Sequence, residues 1–444
     1  MNTITSKIRI AFLTPQDPLN RRSWSGTLSF MAGALGKHCG EVVFLGPAPF
    51  AQFGGKAINR ITRAFLNKRY DYSHSISYAR KCASFFESKL AGSGCDLIFA
   101  PAAATGIAYL NTSIPIVYVS DTTFALLHGY YPEFTNLLKK SINDGNAIER
   151  SAIGKAETIV YSSEWAARSA ARDYGAAPDK IRVIPFGANL EMAPPRDAVV
   201  NRKKSNKCRL LFLAVNWTRK GGSLAFDTLQ NLKNRGVDAE LIVCGCVPPA
   251  RISSERMTVI PYLDKNNAPD RKRLTELLLS ADFLLLPTRH DCTPVVFCEA
   301  NAFGLPVITC DTGGVSAVIR NGENGFMLPS KAGGADYAEM IAAVYRDDRR
   351  YSELRLSCRA AFEERLNWGS WAKAVNTVFV HILKGKQRQG DDRSTTRKQH
   401  HESSFSIEKN SVHRSGRRHD PDDQDQGISC PSRHHGGHLH GAGA

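Results

Sequence analysis

Short apolar runs alternate with helix-length stretches along the first 385 residues, and this alternation restricts the fold more than any other feature. Ile8–Thr14 is the first run. Val42–Leu45, Leu97–Ala100, Ile116–Val119, Thr158–Tyr161 and Arg182–Pro185 follow. A polar segment with Pro194-Pro195 and the run Asn201–Ser205 then interrupts the pattern. It restarts at Leu210–Ala214 and continues through Leu241–Cys244, Val259-Ile260 and Phe283–Leu286. Strands that alternate with helical patterns predict an α/β fold built on parallel sheets, here in two halves.

The chain has 444 residues, enough for two or three domains, and 42% hydrophobic residues, enough for sizeable cores. No apolar run of membrane-spanning length occurs, and the N-terminus lacks the long apolar region of a signal peptide. The eleven cysteines are scattered, many inside apolar segments, and read as small buried hydrophobes in a reducing, cytoplasmic setting. The net charge is +16, of which the segment from Lys386 onward carries only +2. A basic folded body suits an anionic partner: a nucleotide diphosphate, an anionic lipid or a nucleic acid. Residues 386–444 are rich in Arg, His, Asp, Gln, Ser and Gly with little apolar periodicity, and are expected to be a disordered tail.

Chemistry concentrates in Asp291–Pro329. Asp291 precedes a predicted helix and Glu299 lies within it, with Thr293 as the expected N-cap and Pro294 as the first helical residue. The helix stops near Gly304, Pro306–Thr309 reads as a buried strand, and Gly313-Gly314 as a turn. A helix N-terminus attracts phosphate, and a carboxylate a turn or two inside can accept hydrogen bonds from sugar hydroxyls. Thr293, Pro294 and Val295 are therefore expected at the phosphates of a nucleotide-sugar.

This stretch resembles the donor-site signature of retaining glycosyltransferases of family 4, which have the GT-B fold. The family carries two glutamates separated by seven residues, then a small-Gly-Leu-Pro-Val segment and a Gly-Gly loop. Glu299 matches the second glutamate and Asp291 replaces the first. The resemblance implies two Rossmann-like domains facing each other across a cleft. The expected organisation is an acceptor-side domain over 1–190, a linker over 191–207, a donor domain over 208–365, and a helix over 366–385 packing back toward the first domain.

The same resemblance places a diphosphate-neutralising arginine and lysine in the loop Asn216–Gly222. Lys220 matches the lysine. Asn216 lies near the arginine's place, and Arg219 is its candidate substitute. Gly26, in Ser23–Thr27, permits close backbone approach near the donor phosphates, with Ser25 or Thr27 as helix caps. Many relatives carry His-Asp where this chain has Ser120-Asp121, so Asp121 is the candidate for a polar contact to sugar or acceptor at a strand's carboxyl end.

Residues 56–69 place Ile58, Ile61, Phe65 and Leu66 on helical spacing with five basic residues between them. This pattern suits either an anionic membrane surface or packing on the protein's own sheet. The expected reaction is transfer from a nucleotide-diphosphate sugar to a glycan or lipid-linked acceptor in surface polysaccharide or lipopolysaccharide synthesis, with no essential metal, no other cofactor and no nucleic acid. Asp291, Glu299, Lys220 and Arg219 are its candidate catalytic residues. A sugar-nucleotide epimerase of the same fold and a non-catalytic nucleotide-sugar-binding protein are the competing readings.

Overall fold

The computed structural model describes residues 7–50 and 53–387; the expected tail beyond 387 lies outside the described residues. Two six-stranded sheets, each wholly parallel, account for the strands. The first contains β1 (Arg9–Phe12), β2 (Glu41–Phe44), β3 (Leu97–Pro101), β4 (Ile116–Ser120), β5 (Thr158–Tyr161) and β6 (Ile181–Val183), in the order β2-β1-β3-β4-β5-β6. The second contains β7 (Cys208–Leu213), β8 (Ala239–Cys244), β9 (Met257–Ile260), β10 (Phe283–Leu286), β11 (Val307–Cys310) and β12 (Gly325–Leu328), in the order β12-β11-β10-β7-β8-β9. Helices follow most strands, because a parallel neighbour can be reached only by a crossover.

Strand order fixes where a ligand can sit. In the second sheet the chain steps from β7 out to β9 on one side, then returns to build β10 to β12 on the other. The loops after β7 and β10 therefore diverge and leave a crevice at the carboxyl ends of these strands, as in any doubly wound sheet. The first sheet has the same feature between β1 and β3. The predicted site residues lie in or near these loops: Lys220 after β7, Asp291 after β10, Gly26 after β1, and Asp121 just past β4.

The interior strands are buried on both faces. Ile98 and Phe99 of β3, and Leu284 and Leu285 of β10, are fully shielded from solvent, which explains why these runs are continuously apolar rather than alternating. The last described helix starts at residue 368. Its Trp371, Val375 and Phe379 are fully or almost fully buried against Phe12, Leu97 and Val117 of the first sheet. Trp368 Nε1 donates to Asn189 Oδ1 at 3.0 Å, and Asn189 Nδ2 donates to Ser25 O at 3.0 Å. The C-terminal helix thus braces the Gly26 loop.

Three local details differ from the sequence reading. The residue before the helix Thr27–His38 is Gly26 itself, at φ +86, and no side chain caps this end. The segment read as linker contains a short helix, Arg196–Val200. Val199 is buried there, and the guanidinium of Arg355 donates to Val199 O and, at 2.8 Å, to Arg202 O. The helix bearing Glu299 runs Val295–Ala302 with Pro294 as its N-cap, so Thr293 lies one residue outside. Ser163 caps the helix Glu164–Tyr174, accepting from Ala166 N at 3.3 Å.

Candidate active site

Glycines bring the two loops of the second sheet together. Gly221 sits at φ +78, where a Cβ would lie 2.0 Å from Pro287 O, and a Cβ on Gly222 would lie 2.2 Å from the Trp217 ring. No other residue fits either place. The close approach carries Lys220 to Asp291, and the two form an ion pair with both side chains about nine-tenths shielded from solvent. Gly313 and Gly314 back the other side of the Asp291 loop. A Cβ would lie 2.1 Å from Asp291 O at Gly313 and 1.8 Å from Cys292 O at Gly314. The Gly-Gly turn is thus explained by packing beneath the loop, before any ligand is considered.

The cleft between the two sheets has a volume of about 870 Å³. Among its lining residues are Arg219, Lys220, Asp291, Thr293 and Glu299 from the second sheet's side, and Asp121 from the first. Pro294 and Val295 line it as well. Gly26 and Asn216 do not. Gly26 lies behind the wall, where a Cβ would meet Arg21 O at 3.2 Å. Asn216 is exposed, and its Oδ1 accepts from Arg219 N at 2.8 Å, so it closes the turn before Lys220.

Arg219 is held from two sides: Nη1 donates to His290 O at 2.9 Å, and the guanidinium lies 5.4 Å from the Tyr131 ring centre. Glu299 is 2% exposed, and its Oε1 accepts from Lys265 Nζ at 2.7 Å. Its Oε2 takes no hydrogen bond from the described residues. One carboxylate oxygen is therefore fixed by a cation while the other is left to accept.

Asp121 stands apart chemically. Removal from water pushes its carboxyl up to about 7; the indole of Trp24, donating at 3.3 Å, opposes this, and the negative charge of Asp291 adds to it. Burial likewise pushes Glu149 up to about 7, against the hydroxyl of Tyr118, which donates to it at 3.1 Å. Both carboxyls bind protons more tightly when folded than when unfolded. The stability they contribute is complete below the ordinary carboxylate range and is lost as pH rises through about 7. Asp121→Asn is therefore expected to flatten the fall in melting temperature between pH 5 and pH 8. Thermal melts across that range check this; an unchanged slope contradicts it.

Sequence reasoning missed the residues that lock the two halves together. Asp291 N donates to Tyr130 Oη at 2.9 Å and Cys292 N donates to Tyr131 Oη at 3.2 Å. The Thr293 and Ser162 hydroxyls are hydrogen-bonded across the same boundary. The adjacent tyrosines followed by Pro132 were the one visible signal. Lys265, in a polar loop, gave none.

Two family models match the chain: "Glycosyltransferase Family 4" over residues 29–192 and "Glycosyl transferases group 1" over residues 207–347. Together they cover more than half of it. The D-inositol 3-phosphate glycosyltransferase of Xylanimonas cellulosilytica is 25% identical over 259 residues, 53% of this chain and 60% of that protein. The chain thus spans about 60% of the length of this curated relative. Sucrose-phosphate synthase from Thermosynechococcus elongatus superposes with a TM-score of 0.59 at 15% identity, covering 85% of this chain and all of that one. Anabaena HepE in complex with UDP and glucose superposes with a TM-score of 0.56 at 16% identity, covering 84% and 100%. These superpositions establish the GT-B fold.

Proposed function

Because the chain belongs to the group 1, family 4 glycosyltransferases, we propose that it moves a sugar from a nucleotide-diphosphate donor to a glycan or lipid-linked acceptor, with retention at the anomeric carbon. The observation that carries this reading is the convergence of Lys220, Arg219, Asp291 and Glu299 on one cleft wall, at the switch point of a doubly wound sheet. In this reading residues 1–190 form the acceptor side and 208–365 the donor side.

The departing diphosphate accumulates negative charge. Lys220 and Arg219 offset it, with support from the positive end of the helix starting at Val295 and no metal required. Glu299 Oε2 accepts from ribose hydroxyls. Asp291, held by Lys220, faces the donor sugar and stabilises positive charge at its anomeric carbon. When the diphosphate engages Lys220, the carboxylate's share of that cation falls, so donor binding and the charge on Asp291 are coupled. The relative in complex with UDP and glucose favours a nucleotide-sugar donor.

In this reading the acceptor is presented at a membrane surface, because the helix Phe53–Leu66 is amphipathic and outward-facing. Phe65 is 82% and Leu66 60% exposed, with Lys56, Arg60 and Arg63 exposed beside them. A basic face with projecting apolar residues suits an anionic bilayer surface. Among the described residues no helix is long and apolar enough to cross a membrane. Co-sedimentation with phosphatidylglycerol vesicles is expected, weakened by Phe65→Ser and by high salt; equal sedimentation of the variant contradicts it.

The transfer itself is tested by measuring nucleoside diphosphate release from UDP-, GDP- and ADP-sugars with and without acceptor extracts, and by proton NMR of the product anomer. Acceptor-dependent release with a retained anomer is expected. Acceptor-independent conversion of the donor would support a sugar-nucleotide epimerase of the same fold, and binding without turnover a non-catalytic protein.

A further inference from the structure

The first sheet's side of the cleft carries side chains to which the donor reading assigns no role. Glu149, 5% exposed, and His74 both line it. Tyr118 Oη donates to Glu149 Oε1 at 3.1 Å. His74 Nδ1 is 2.7 Å from Asp71 Oδ2, and its Nε2 has no hydrogen-bond partner among the described residues. Phe124 and Phe134 flank the imidazole, with ring centres 5.2 and 5.5 Å from it.

Carboxyl groups outnumber free cations on this side. Asp121, Glu133 and Glu149 line it. Its arginines, Arg21 and Arg22, are already paired, with Glu191 at 2.5 Å and Asp264 at 3.4 Å. His74 is engaged by Asp71. Thus, among the described residues, each cation that the first sheet's side contributes to the cleft already has an acidic partner. A phosphate or carboxylate there would lose its hydration without a free cation to replace it. A hydroxyl can donate to a carboxylate or to an imidazole nitrogen, and the aromatic rings offer flat apolar surface to the carbon skeleton of a sugar.

Resting on the glycosyl-transfer reading, we infer that the acceptor is an uncharged sugar residue whose hydroxyls are recognised by Glu149 and His74, rather than a phosphorylated or uronic acceptor. The two residues are specificity-determining and lie outside the donor site.

An array of neutral, phosphorylated and uronate glycans, probed with the full chain in saturating UDP, tests this. Binding confined to neutral glycans is expected. Glu149→Gln and His74→Asn should each weaken it roughly tenfold while the UDP dissociation constant, measured by calorimetry, stays that of the wild type. The unchanged UDP affinity shows that the variants are folded. Preference for phosphorylated or uronate glycans, no glycan bound, or variants that bind like the wild type would each overturn the inference. Failure of the wild type to bind UDP, GDP or ADP would instead remove the donor reading beneath it.

Discussion

Lys220→Ala is expected to lower kcat by about two to three orders of magnitude, the cost of removing one group that meets developing negative charge, and to destabilise the fold as well. Lys220 and Asp291 are each about nine-tenths shielded and paired with one another. Removing the lysine strands a buried carboxylate, which costs about 3–5 kcal/mol. The two effects separate in the double variant Lys220→Ala/Asp291→Asn. Its melting temperature should recover most of the loss, because no unpaired charge remains, while its kcat stays low. Chemical denaturation and steady-state kinetics on the three proteins check this. A double variant that regains activity together with stability would show that Lys220 is structural.

Glu299→Gln should leave the fold intact and weaken the donor nucleotide by about 1.5–3 kcal/mol, or one to two orders of magnitude in affinity. The substitution keeps the volume of a side chain that is 2% exposed. It frees only Lys265, whose side chain is 44% exposed and can turn to water. The loss should fall on nucleoside diphosphates with intact ribose hydroxyls, and a 2′,3′-dideoxy analogue should bind both proteins alike. Calorimetric titration measures it. Equal loss for the dideoxy analogue would place Glu299 away from the ribose.

The alternation of apolar runs predicted the fold well, because strands buried on both faces must be continuously apolar and that is visible residue by residue. The glycines were visible too, but their reason was not. Gly313-Gly314 reads as a turn, whereas the structure shows the pair is needed so that the Asp291–Cys292 backbone can rest on it. Thr293 reads as a cap from local spacing, yet its hydroxyl is taken by Ser162, 131 residues away. Local helix chemistry lost to a contact across the cleft. Lys265 and Tyr130-Tyr131 escaped for the same reason. Their partners, Glu299, Asp291 and Cys292, are set by the approach of loops distant in sequence, and nothing in a lysine or a tyrosine pair announces which loop it will meet. The shortage of free cations on the acceptor side also depends on pairs such as Arg22 with Asp264, which composition alone would count as positive charge.

The central claim is that the cleft holds a nucleotide-diphosphate with its phosphates at Lys220 and its ribose at Glu299. A crystal structure of the chain soaked with UDP tests it most directly. The account predicts the diphosphate within hydrogen-bond reach of Lys220 and Arg219, near the start of the helix Val295–Ala302, and the ribose hydroxyls on Glu299 Oε2. UDP bound elsewhere, or in this cleft with Glu299 still contacting only Lys265, would contradict it.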